Sequence, residues 1–455
     1  MLIKEGLQFV QEYVSAINDS IKKQEPEKAL SRIQAIWLSF VILGTLVTNA
    51  VCWKRMEKAS LGQYNNAALS WMFRNSKIFW ELLLVSSVRY LLCRYNINKG
   101  ILVIDDSDIE RSKKTSKIAK THKIKDKKTG GYFNGQNIVF LILVSDKITL
   151  PVGFKFYEPD PDVSKWAKED KRLRKKGVKK KYRPEKPAID DKYPGKKKIA
   201  TELITSFIKS FDSIKIKSVL ADSLYGDKDF IQTIMDTTGI KQVISQIRKN
   251  QTILFNNKVI SINKQFENFT EKKEEVMLRG KKKVIYYILA PLKVVSHKRK
   301  YRIIALKYEG ESEYRYIIAT EASWLDIDII KAYSFRWLVE VFIQDWKTYE
   351  GWDQLAKQQG GIGSERGVIL SLLSDHLLLL HTEQQSLVES KSQAATVGSL
   401  RIRVVMESIS AFIGSIVDSS NPKMAFDEVS NKIAEVFELE PSAKHVSHLK
   451  DGLAI

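Results

Sequence analysis

Three acidic positions in this sequence have the residue types for shared carboxylate chemistry. Asp106 (or its neighbour Asp105) follows the apolar run ILVI, Asp222 follows SVLA, and Glu340 lies within YSFRWLVEVFIQDWK, residues 333–347. Carboxylates gathered in one cleft repel one another unless a cation neutralises them. A donor set made only of oxygen suits Mg2+ or Mn2+. Two such ions could activate an attacking oxygen and stabilise the leaving one in an in-line phosphoryl transfer. The Glu340 segment also carries Tyr333, Arg336, Gln344 and Lys347. At about 100° per residue these five polar side chains fall within about 80° of one another on a helix. Phe335, Leu338, Val339, Phe342 and Trp346 cover most of the remaining circumference. The pattern predicts a helix buried nearly all round, with a narrow polar stripe lining a cleft. A purely structural Arg–Glu–Lys network would have the same spacing.

The flanking segments must position these acids. ILVIDDSD and IKIKSVLADSLYGD both read as buried strands ending in acid. In an open sheet, strand C-termini are where side chains reach a cleft. NIVFLILVSDKITLPVGFKFYEP reads as two strands around the turn Ser145-Asp146-Lys147, and IATELITSFIKSF as a helix. KQVISQI, KKVIYYILAPLKVV, KYRIIALKY and YRYIIAT suggest a mostly antiparallel sheet inserted before a helix at 326–349. QQGGIGS separates that helix from the apolar RGVILSLLSDHLLLLH, and further helices follow from about 383, broken at Asn421-Pro422. Residues 1–98 read as helices with basic edges, suited to DNA but without a specific helix-turn-helix signature. AIWLSFVILGTLVTNAVCW, residues 35–53, has the length of a membrane span. Ser39, Thr45, Thr48 and Asn49 within it, and the absence of a second such run, favour a buried helix of an N-terminal bundle.

The chain has 455 residues and a formal charge of +21, which points to a polyanionic partner, because Lys and Arg displace counterions from phosphates. Charge alone leaves ribosome, membrane and nucleic acid open. KRLRKKGVKKKYRPEKP and KYPGKKK, within residues 160–200, are too charged to form a core and read as an exposed insertion suited to phosphate contact. The only cysteines, Cys52 and Cys93, are far apart, which argues against a disulfide scaffold or cysteine-rich zinc site and fits a reducing compartment. The six histidines form no metal motif; His445 and His448 read as a solvated pair. The N-terminal MLIKEGLQFVQEYV has early Glu residues and no signal-peptide cleavage pattern.

Tyr333-x2-Arg336-x3-Glu340-x6-Lys347 resembles the YREK signature of bacterial DDE transposases of the insertion-sequence-four type, complete in residues and spacing. VIDDSD and LADSLYGD resemble that family's two Asp blocks, and the likeness covers roughly residues 100–350. It implies an α/β fold: an RNase H-like catalytic core with a β-rich insertion, flanked by an N-terminal helical domain and C-terminal helices. The corresponding divisions are residues 1–98 for DNA binding and 99–382 for the catalytic domain. Within the latter a basic insertion falls at about 158–200 and a β-rich one at about 240–322. Residues 383–455 are a candidate dimerisation region. The resemblance further implies cut-and-paste transposition through end nicking, a hairpin intermediate and strand transfer into target DNA. Asp106, Asp222 and Glu340 would hold two Mg2+ or Mn2+ ions, and Tyr333, Arg336 and Lys347 would contact the DNA backbone. Asp106 is preferred over Asp105 because the family's first Asp precedes Thr or Ser, and Ser107 follows it. The partners would be double-stranded DNA (terminal inverted repeats and target) and a second copy in a synaptic complex, with no membrane, in the nucleoid of a bacterial cytoplasm. The rivals are a catalytically limited, transposase-derived DNA-binding regulator and a non-catalytic RNA- or ribosome-binding protein. The second explains the charge but not the striped helix or the acids at strand ends.

Overall fold

The apolar run of β1 (Lys99–Glu110) is buried from Gly100 to Ile104, as expected of a strand covered on both faces. The computed structural model describes residues 7–111, 117–126, 128–278, 280–352 and 358–437. His445 and His448 lie outside them. Before β1 come α1 (Gln8–Gln24), α2 (Arg32–Thr48), α3 (Trp53–Ala59), α4 (Asn66–Asn75) and α5 (Trp80–Arg94). Ser31 and Gln34 form a capping box at the start of α2, and Asn49 ends it in the left-handed conformation. The membrane-length run is thereby cut at Thr48, and most of α2 is buried within the protein. Among the described residues no single helix is long and apolar enough to cross a membrane.

After β1 follow β2 (His122–Lys125), β3 (Tyr132–Val144), β4 (Thr149–Tyr157), α6 (Pro161–Lys175), α7 (Lys196–Ser210), β5 (Lys215–Ala221), α8 (Lys228–Thr238) and β6 (Val243–Ile247). The core order is β4-β3-β1-β5-β6. β3 runs antiparallel to β1 and β4, while β1, β5 and β6 are mutually parallel. This is the RNase H-like arrangement. α6 has no buried residue; it is held by the Asp160 cap, by Trp166 Nε1 donating to the Pro184 carbonyl at 2.7 Å, and by the Arg183–Asp170 pair at 2.7 Å. The basic insertion is thus exposed, as its composition requires.

The β-rich segment comprises β7 (Thr252–Phe255), β8 (Lys258–Ser261), α9 (Ile262–Phe266), β9 (Lys272–Leu278), β10 (Lys281–Val294), β11 (Arg299–Tyr308) and β12 (Arg315–Ala319). β12 pairs antiparallel with β6, so the insertion extends the core sheet instead of forming a separate one. KQVISQI, expected within the insertion, supplies β6 and belongs to the core, so the insertion starts after Ile247 and not at 240.

The single helix expected at 326–349 is two, α10 (Asp326–Ser334) and α11 (Trp337–Tyr349). At their junction Phe335, Arg336, Leu338 and Val339 each donate to the carbonyl three residues back, a tightened turn that alters the helical phase. Only Val339, Phe342 and Trp346 of α11 are buried. Glu340 and Gln344 are exposed, and Trp337 is 43 % exposed, so α11 is a half-covered helix and not one enclosed on all sides. Then come α12 (Gly360–Leu379), α13 (Thr382–Glu389), α14 (Val397–Val417) and α15 (Pro422–Val436). α12 packs on α2 and α5, and α14 on α2. The N-terminal helices therefore share one continuous apolar core with the sheet and the helices that follow it, and β1 begins at Lys99.

Candidate active site

β1 and β5 pair in parallel with Ile104 beside Ala221, so the next residue of each strand, Asp105 and Asp222, emerge side by side. Successive side chains on a strand point to opposite faces, which separates Asp105 from Asp106. Asp105 Oδ2 accepts from Arg336 Nη1 at 3.2 Å, and the same guanidinium reaches Glu340 Oε1 at 2.5 Å. Asp106 Oδ2 instead accepts from Asn137 Nδ2 at 2.9 Å and Lys196 Nζ at 2.7 Å. The preference for Asp106 drawn from Ser107 is therefore not what the fold displays: Asp105 shares a face with Asp222, Arg336 and Glu340. Burial, then the charge of Asp222, pushes the Asp105 carboxyl up to about 7.

The loop after β5 is fixed by close packing. A Cβ on Gly226 would lie 2.4 Å from the Gln246 carbonyl, so glycine is required there. Ser245 Oγ donates to the Asp222 carbonyl at 2.7 Å, and Asp227 caps α8 through Phe230 N at 2.9 Å. Tyr225 is fully buried, and its hydroxyl has no hydrogen-bond partner among the described residues. Burial, then Asp106, Asp105 and Asp222, holds that phenol protonated. Sequence reasoning missed Tyr225, whose signal lay in its position three residues after Asp222.

Lys196, likewise missed, opens a first turn of three lysines on α7, the end of a helix where cations are unfavourable. Each meets an acid: Lys196 with Asp106, Lys197 with Asp227 and Lys198 with Asp191. Of the other expected residues, Tyr333 is buried on α10 with its hydroxyl donating to Gln246 Oε1 at 3.2 Å. Lys347 Nζ donates to the Asp108 carbonyl at 2.6 Å, which ties α11 to the end of β1. Tyr333, Arg336 and Lys347 therefore all have protein partners in the DNA-free chain.

Among the described residues no three acidic, histidine or cysteine side chains converge into a ready-made metal cage, and Arg336 bridges Asp105 and Glu340. A divalent cation nevertheless fits this place. Two buried-edge carboxylates stand side by side, Tyr225 offers an orphaned hydroxyl beside them, and the donors are all oxygen.

The raised Asp105 carboxyl has a testable sign. Its proton is held more tightly in the folded chain than in the unfolded one, whose carboxylate titrates near 4. Its contribution to stability is present below about pH 4 and is lost as pH rises through about 7. Asp105→Asn is therefore expected to melt above wild type at pH 8 in EDTA, by at most about 4 kcal/mol, and with it near pH 4. A difference that stays flat across pH 4–8 in thermal melts would contradict this electrostatic assignment.

Residues 72–263 match the family of DDE superfamily endonucleases, a span that contains both Asp blocks and ends before Glu340. A comparison with curated proteins gives no match. Among solved structures, the chain is similar to the piggyBac transposase in its synaptic complex with hairpin DNA. That similarity has a TM-score of 0.43 and 11 % identity, and it covers 94 % of this chain and 83 % of that one.

Proposed function

We propose that this chain is a DNA transposase of the DDE type that cuts and rejoins DNA by phosphoryl transfer. The observation that carries this reading is the parallel pairing of β1 and β5, which sets Asp105 beside Asp222, with Glu340 linked to Asp105 through Arg336. The match of residues 72–263 to DDE superfamily endonucleases supports it. Asp105, Asp222 and Glu340 are the acids that would hold Mg2+ or Mn2+. A bound ion would supply charge stabilisation for the attacking and leaving oxygens. Arg336, freed from Glu340 when DNA and metal enter, would meet a backbone phosphate, for which its planar fork is suited. Lys347 would meet a second phosphate near the cleaved end. Lys196 would keep Asp106 compensated and dock the basic segment 161–198 at the rim of the site, where phosphates flanking the cut can reach it.

The reaction order we propose is that of the insertion-sequence-four type suggested by the Tyr333-Arg336-Glu340-Lys347 spacing: nicking, attack of the freed 3′ hydroxyl on the opposite strand to give a hairpin, reopening, and joining to target DNA. Two ends must be brought together, and the exposed apolar residues Ile413 and Val417 on α14, with Met424 and Phe426 on α15, support a second copy as the partner. The setting would be chromosomal DNA in a bacterial cytoplasm.

The test is a cleavage assay on DNA carrying the inverted repeats that flank the reading frame. The expected result is nicking followed by a hairpin product with Mg2+ and neither product in EDTA. Specific binding with no cleavage would favour the rival regulator, for which the Arg336 bridge between Asp105 and Glu340 is the supporting observation. Cleavage undiminished in EDTA would remove the metal assignment.

A further inference from the structure

α4 buries Leu69, Ser70 and Phe73 and leaves Ala67, Ala68, Trp71, Arg74 and Asn75 exposed, Trp71 by 59 %. A cleft of about 830 Å³ runs along this helix and is lined by Lys54, Asn66, Arg74, Asn75, Gln358 and Gln359, with Trp71 beside them. Among the described residues no carboxylate lines it. Glu57 is occupied by the backbone N–H and side-chain amide of Asn66, the latter at 2.7 Å. Arg74 Nε donates to Ser70 Oγ at 3.0 Å, and Arg74 has no carboxylate partner among the described residues. Residues 51–77 carry Lys54, Arg55, Lys58, Arg74 and Lys77 against the single acid Glu57.

This combination is chemically selective. A patch that only follows phosphates needs cations, whereas amides and guanidinium groups pair bidentately with the edges of adenine and guanine. Here Arg74, Asn75 and Gln359 line one cleft together with Lys54, while the Gln358 amide donates to the Val51 carbonyl at 3.1 Å. A helix of 10 residues is about 15 Å long and fits a major groove about 12 Å wide. Its placement is rigid, because Arg366 of α12 donates to the Phe73 and Arg74 carbonyls at the end of α4, the latter at 2.8 Å, and lies over the Trp80 ring. A helix held by its last carbonyls against the catalytic core presents its outer face in a fixed relation to the acids.

We infer that α4 and the adjoining cleft form the surface that reads duplex DNA sequence, with Arg74 and Asn75 contacting base edges and Lys54 a phosphate. This rests on the proposed function for its choice of DNA. The probes are a labelled duplex copying the terminal inverted repeat and a shuffled duplex of the same composition, titrated by anisotropy in EDTA so that binding is read without cleavage. Wild type is expected to prefer the repeat. Arg74→Ala and Asn75→Ala should each lower that preference about tenfold or more, with affinity for the shuffled duplex within about twofold of wild type. Lys54→Ala should weaken both duplexes alike and lower the salt slope by about one. Both Arg74 and Asn75 are exposed, so unchanged melting temperatures are expected and exclude misfolding as the cause. Glu340→Ala should retain the full preference, so a chain that reads the repeat but never cuts overturns the proposed chemistry and leaves this surface intact. Equal loss on both duplexes in Arg74→Ala, no loss on either, or no wild-type preference would each overturn it.

Discussion

Asp105→Ala is expected to lower metal-dependent cleavage at least about a thousandfold, as are Asp222→Ala and Glu340→Ala. A metal ion's charge stabilisation is worth several kcal/mol, and each 1.36 kcal/mol is a factor of ten in rate. Asp106→Ala should cost less, about 10- to 100-fold, as is usual for groups that act through a neighbour of the metal site. The contrast follows from the partners: Asp105 meets Arg336 and Asp222, while Asp106 is held by Lys196 and Asn137 on the opposite face. DNA affinity should change little in all four variants, because Lys and Arg contacts to phosphate supply most of it. Single-turnover nicking with Mg2+ checks the order. If Asp106→Ala is silent in nicking and Asp105→Ala retains activity, the assignment reverts to the one suggested by Ser107. Substantial activity in both would remove the first carboxylate from the mechanism.

Trp346→Ala is expected to destabilise the chain by about 3–5 kcal/mol, the usual cost of emptying a large aromatic site. Trp346, on the inner side of α11, is fully buried; it stacks on Trp352 at 5.1 Å between ring centres and on Phe342 at 6.3 Å, and meets Phe140 of β3 in a T-shaped contact at 4.9 Å. These rings seat α11 against the sheet and so set where Glu340 and Lys347 lie. Cleavage should therefore fall further than DNA binding, because small displacements of a catalytic group are costly. Trp346 Nε1 is buried without a partner among the described residues, so Trp346→Phe removes a polar group along with part of the ring and should cost less. Urea unfolding of the two variants beside wild type measures this. Equal stability of Trp346→Ala and wild type would mean that α11 is held elsewhere, through Lys347 on Asp108 and Arg336 on Asp105.

Much of the candidate site's placement in the fold was legible in the residues themselves. A run of β-branched and aliphatic residues ending in acid can hardly be anything but a covered strand with its carboxylates at the rim, and this placed both the 105–106 pair and Asp222. The polar residues from Tyr333 to Lys347 likewise marked the helical segment that carries Glu340. The lysine-dense stretch from 160 to 200 was bound to stay outside a core, and α6 has no buried residue.

Tertiary structure alone decided which of two adjacent acids faces the cleft. Strand side chains alternate, so Asp105 and Asp106 are equivalent in sequence until the register with β5 and the seat of α11 assign one face to Asp222. It also decided that the Tyr333–Lys347 segment bends at Phe335–Arg336, because the tightened turn there depends on what each half packs against. The joining of β12 to β6, the meeting of Lys196 with Asp106, and the orphaned hydroxyl of Tyr225 beside the acids have the same origin. Each is a contact between segments far apart in the chain or a product of burial, and local spacing carries no information about either.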